Sequence, residues 1–124
     1  MAVEDNFNHD FTQLQKGLQD AYPKIKGGTA YKATPPSYPY FYMKQINGST
    51  ALETLSGTED GINMGLEVHF YSKTSQSDVR SIALKAKDIM REKCGFKCTY
   101  FQSVDNIGDT SVYRWIARFE KLEV

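Results

Sequence analysis

Cysteine and histidine each occur only twice in this chain of 124 residues, and the two scarcities remove most metal and nucleophile chemistry. Cys94 and Cys98 stand four positions apart across Gly95, which is neither a zinc-ligand pair nor a C-x-x-C redox motif. His9 and His69 are the only imidazoles, so a zinc cage would lack its ligand set. The expectation is two free thiols, one at a helix end and one in a strand, with no metal and no cofactor. Charge of one sign is missing too, because 15 basic and 15 acidic residues cancel. A surface that binds phosphates nonspecifically normally needs a basic stripe, so no specific nucleic-acid binding is expected. No apolar run approaches the length of a membrane span, and the mean hydropathy is −0.51, which argues against a membrane protein. The first six residues carry neither a basic nor an apolar targeting region, which predicts a chain kept in a cytoplasm. Prolines are confined to one stretch, with all four between residues 23 and 39.

Catalytic constellations fail on the same inventory. His69 falls on the Glu67/Tyr71 parity of an alternating strand, opposite the apolar row, and no serine or cysteine motif supplies a nucleophile for it. His9 lies on the polar side of a helix. The Gly57 to Gly61 turn lacks the Lys-Ser/Thr of a phosphate loop. Glu59-Asp60 and residues 105–109 are acidic turns without the ligand spacing of an EF-hand. The chain is therefore not expected to be an enzyme.

What is present is patterning. Phe7, Phe11, Leu14, Leu18, Ala21 and Tyr22 recur every three or four positions and predict an amphipathic helix over 5–22, ended by Pro23. Gly17 weakens that helix by about 1 kcal/mol relative to alanine, so it needs tertiary packing. Asn6, Asn8 and Asp10 compete as N-caps. Residues 23–39 form a Pro/Tyr-rich connection with room for a short strand near residues 29–32. Its tyrosines, Tyr31 and Tyr38, either meet another surface or cover the domain's own core.

Residues 40–72 read as a three-strand meander. Tyr40 to Ile46 has aromatics on both faces, and Asn47-Gly48 is a hairpin signal. A return strand would follow over 50–56, although residues 51–55 also suit a helical turn. Met64, Leu66, Val68 and Phe70 then alternate strictly. Residues 75–93 form a second helix with an apolar stripe of Val79, Ile82, Ala83, Ala86, Ile89 and Met90. Ser75 and Asp78 have capping-box spacing, and Gly95 supplies the exit. Two strands follow within 97–122. On the last, Tyr113, Trp115, Ala117 and Phe119 alternate with Arg114, Ile116, Arg118 and Glu120. Arg114 and Arg118 lie opposite their own strand's aromatics, which argues against bases stacking beside them and favours a subunit contact. The order predicts one α+β domain over 1–124, with a single mixed, mainly antiparallel sheet of about five strands and two helices packed on one face. The expected core is Phe11, Leu14, Leu18, Phe41, Met43, Leu66, Val68, Phe70, Val79, Ile82, Ala86, Ile89, Trp115 and Phe119.

Between residues 39 and 120 the chain resembles the tail-terminator, or tail-completion, proteins of long-tailed bacteriophages. The likeness rests on element order, on the strand Tyr38-Pro39-Tyr40-Phe41-Tyr42-Met43-Lys44, and on the strand end Val68-His69-Phe70-Tyr71-Ser72. It continues through the helix Ala83 to Met90, Gly95-Phe96-Lys97, and the final Val112-Tyr113-Arg114-Trp115-Ile116-Ala117-Arg118-Phe119-Glu120. The resemblance implies a structural virion-assembly protein that forms an oligomeric ring, commonly a hexamer. That ring caps the tail tube and offers the surface for head-tail joining. The implied partners are further copies of the chain, the tail tube protein and a head-completion or connector protein. The implied location is the host cytoplasm during assembly and the tail or neck of the virion afterwards. The family brings no catalytic residues. Tyr31, Tyr38, Glu59, Asp60, Arg114 and Arg118 are the candidate interface residues. Another phage neck or head-completion connector, or a small ligand-binding module, is the alternative reading.

Overall fold

The computed structural model describes residues 3–30, 35–47, 62–105 and 110–123. The first helix, α1, runs Val3–Ala21, so Asp10 is an interior helical residue and not a cap. It is also buried, at 2% exposure. The short strand is β1, Lys26–Gly28, several residues before the expected place. It is followed by β2 (Tyr40–Asn47), β3 (Ile62–Ser72), the helix α2 (Gln76–Cys94), β4 (Lys97–Val104) and β5 (Tyr113–Glu123).

The five strands make one open sheet in the order β1-β2-β3-β5-β4. β1 pairs parallel to β2, and the other pairings are antiparallel. This is an α+β fold with both helices on one face. The meander takes a different form from the expected one. β2 pairs directly with β3 from Tyr40↔Tyr71 to Asn47↔Met64, and β5 takes the far edge of β3, so no strand intervenes between β2 and β3. The expected return strand, residues 50–56, lies outside the described residues.

Period-2 alternation places the core on one face of the sheet. Phe41, Phe70 and Trp115 are successive register partners, as are Met43, Val68 and Ala117. Leu14 and Leu18 of α1 and Val79, Ile82, Ala86 and Ile89 of α2 close over them, and Phe11 packs against the cluster half-buried. Ile25 and Phe96 are also buried in this core, although neither belongs to a long periodic run. Burying side chains of this size contributes roughly 1.5–3 kcal/mol each.

Two glycines are required by close approach. At Gly17 an alanine Cβ would lie 2.5 Å from Ile89 Cδ1, so the residue that weakens α1 on propensity is what lets α1 settle against α2. At Gly27 a Cβ would overlap the ring of Phe41, which is fully buried and cannot retreat. That contact explains why a strand forms on a Gly-Gly pair.

The second helix begins as its sequence indicates. Asp78 donates its backbone N–H to Ser75 Oγ at 3.0 Å. The Asp78 carboxylate, however, accepts from Ser72 Oγ at 2.6 Å, tying the end of β3 to the first turn of α2. At the other end Gly95 adopts φ 75° and both it and Phe96 donate to the Met90 carbonyl. A bulge between Cys98 and Tyr100 interrupts β4, which forms the sheet edge opposite β1, and with Lys97 it guards that edge against sheet-to-sheet pairing.

Candidate functional site

The second parity of the strands builds a charged and aromatic surface on the face away from the helices. Register alone brings its members together. Lys44, Glu67, Arg118 and Tyr100 form one row across β2, β3, β5 and β4. Tyr42, His69 and Ile116 form the next, and Tyr40, Tyr71 and Arg114 the one after. Opposite charges directly across a strand pair attract, and Glu67 has one on either side.

Glu67 is the hub. Its Oε2 accepts from Arg118 Nε at 2.7 Å, and its Oε1 lies 2.9 Å from His69 Nε2 and 3.7 Å from Lys44 Nζ. Arg114 reaches His69 from the other side, with its guanidinium 2.8 Å from Nδ1. A guanidinium only donates, so Nδ1 must accept and Nε2 must carry the proton given to Glu67. The chain of donors therefore runs Arg114 to His69 to Glu67 and holds His69 neutral. His69 is 7% and Glu67 8% exposed, so the expected polar-face histidine is a buried one.

Burial alone would push the Glu67 carboxyl up, but the hydrogen bonds and charges of His69 and Arg118 hold it below the ordinary carboxylate range. For His69 burial is the leading cause and depresses its pKa. The Arg114 and Lys44 charges act the same way, while Glu67 opposes them. Both folded-state values lie below the unfolded ones, so each group contributes stability at neutral pH that is lost on acidification. Urea melts should show stability level between about pH 7 and 8, declining below about 6.5 as the unfolded chain takes up the histidine proton, and declining again below about 4.5. His69→Gln should remove the first decline and leave the second.

The two arginines also meet tyrosine rings. Arg114 lies 5.7 Å from the Tyr71 ring centroid and Arg118 4.9 Å from that of Tyr100. This corrects the expectation that aromatics and arginines occupy opposite surfaces. Their own strand's aromatics do lie opposite, but β3 and β4 supply tyrosines on the arginine face. Tyr40, Tyr42, Tyr71 and Val112 form a second buried cluster there, with Tyr38 half-buried against it. Lys73 lies 5.0 Å from the Tyr38 ring centroid. Arg118 and Lys44 remain nearly half exposed at their side chains, so they are the charged parts of this face that a partner can reach. Of the other candidate interface residues, Tyr31, Glu59 and Asp60 lie outside the described residues.

Cys94 and Cys98 are free, the first at the end of α2 and the second in β4. Burial, with the neighbouring Asp10, pushes the Cys94 thiol up to about 12. Burial also raises Cys98. Neither environment favours the thiolate that a nucleophile requires. Among the described residues no three His, Cys, Asp or Glu side chains are grouped to hold a metal ion, and no helix is long and apolar enough to cross a membrane. No protein-family model matches the chain, and no curated protein matches it.

Proposed function

We propose that this chain is a structural virion-assembly protein, a tail terminator whose copies form a ring, commonly a hexamer, that caps the tail tube of a long-tailed bacteriophage and provides the head-joining surface. The observation that carries the reading is the final strand, Tyr113 to Glu120. One parity of this β5 segment supplies Trp115, Ala117 and Phe119 to the core, and the other presents Arg114 and Arg118. The resemblance to tail terminators rests in large part on that segment, and β2, β3 and α2, which carry most of the remainder, pack into the same unit.

An open sheet with helices on one face leaves the opposite face and the strand edges for contacts between subunits. Arginine with tyrosine is a composition enriched at such contacts. In this reading the partners are other copies of the chain, the tail tube protein and the head-completion connector. The chain acts in the host cytoplasm during assembly and remains in the tail or neck of the virion. It performs no catalysis, holds no cofactor, and neither reads nucleic acid specifically nor enters a membrane. Purified protein mixed with assembled tail tubes should be seen by electron microscopy at the tube end. Binding first to portal-bearing heads, with bare tube ends, would assign it to the neck instead.

A further inference from the structure

Arg114 is held in place with one donor unsatisfied. Its guanidinium donates to His69 Nδ1 at 2.8 Å and lies 5.7 Å from the Tyr71 ring centroid. Its Nε is buried and has no acceptor among the described residues, and a buried donor left unpaired is unfavourable. The same side chain lines a cavity of about 410 Å³ at the N-terminal end of α2, where Gln76 and Asp105 also form part of the wall. Asp105 follows Val104, the register partner of Arg114 on β4, and it is exposed. One arginine therefore stands between a neutral imidazole and a carboxylate.

A single lone pair keeps it on the imidazole side. Nδ1 accepts from a guanidinium only while it carries no proton. Nε2 already donates to Glu67 at 2.9 Å, so a proton arriving from solvent goes to Nδ1. That proton turns the acceptor into a donor and sets a cation against a cation. The other groups facing the ring leave this conflict in place. On β3 itself Glu67 favours the imidazolium, and Tyr71 shares the parity as an uncharged ring. From β2 come the Tyr42 ring, at 5.5 Å between centroids, and Lys44, whose charge opposes protonation. On β5 the register partner is Ile116, and Arg118 is held on Glu67 at 2.7 Å. Gln102 of β4, beyond Ile116 in the same row, is uncharged.

We propose that His69 is an acid-operated latch for Arg114: uptake of one proton at Nδ1 releases the guanidinium, which turns into the cavity and pairs with Asp105. Glu67 keeps its hold on the imidazolium through Nε2, and Arg118 stays on Glu67, so the movement is confined to Arg114. Burial, with the Arg114 and Lys44 charges, makes His69 harder to protonate, which sets the latch to open below the ordinary histidine range. The coupling is reciprocal. Protonation of His69 expels Arg114, and removal of Arg114 makes His69 easier to protonate. The latch belongs to the charged face whatever that face meets, and it stands independently of the tail-terminator reading.

The test is nuclear magnetic resonance on the full chain carrying His9→Gln, which leaves His69 as the single histidine. The His9 side chain is exposed and takes no part in the network. Imidazole nitrogen, arginine side-chain and carboxyl carbon signals are followed from pH 8 downwards, while the amide spectrum reports that the fold persists. The expected result is the Nε2–H tautomer at pH 8, then one His69 titration with a midpoint below the ordinary histidine value. The Arg114 Nε–H and Asp105 carboxyl signals should move with that same midpoint. Arg114→Gln, whose amide can still donate to Nδ1 but carries no charge, should raise the midpoint. Asp105→Asn should lower it, because the released guanidinium loses its carboxylate. An Nδ1–H tautomer at pH 8 would overturn the proposal, as would Arg114 signals that stay fixed while His69 titrates. A His69 that stays neutral until the amide spectrum collapses would overturn it too. Arg114 signals that move while those of Asp105 do not would remove the second position of the latch.

Discussion

Leu66→Asp is expected to unfold the domain. Leu66 is fully buried at the centre of β3, between Gln45 on β2 and Phe119 on β5, on the face that the helices cover. The substitution removes a large apolar side chain, at about 2–5 kcal/mol, and places a carboxylate where no cation belongs to the core. The carboxylate must either stay charged in an apolar site or take up a proton, and both are costly. Against a typical domain stability of about 5–15 kcal/mol, the sum leaves little folded protein. Far-UV circular dichroism in a urea titration should show the cooperative transition lost or moved to much lower urea. A midpoint equal to that of the parent would contradict the β3 register.

Glu67→Ala should be the most damaging change on the opposite face. It removes the acceptor of His69 Nε2–H and of Arg118 and the counter-charge of Lys44 in one step. Arg118 and Lys44 are nearly half exposed and can turn to water. His69 is buried and cannot. The expected loss is about 1–3 kcal/mol, mainly the desolvation of the stranded imidazole. Glu67→Gln, which keeps an acceptor oxygen, should lose less. Equal stability of Glu67→Ala and the parent in urea would show that the network contributes nothing to the fold.

The core face was legible because its signal is local. Alternation at Leu66, Val68 and Phe70 and helical spacing at Val79, Ile82, Ala86 and Ile89 are visible within one element, and all of these residues are buried. Ile25 was not legible, since it stands alone beside Pro23 and two glycines. The strand that follows it, β1, is set by the fit of Gly27 against the Phe41 ring, a contact fourteen positions away in sequence. The charged face was half legible. Parity placed Glu67 and His69 together on β3 and Arg114 and Arg118 together on β5, but their meeting depends on β5 inserting between β3 and β4. That crossover is a property of the whole sheet. Opposite charges at matching parity on two interior strands were the available signal, and with β3 and β5 adjacent they point to a buried network. Asp10 shows the reverse error, because its cap-like identity suggested the edge of a helix that in fact continues past it to Val3.

Tail length measures the central claim most directly. A phage lacking the gene for this chain should yield a lysate in which electron microscopy shows free heads beside overlong or unjoined tails. Supplying the gene in trans should restore tails of uniform length joined to heads. Tails of normal, uniform length already attached to heads in the lysate of the deleted phage would contradict the account.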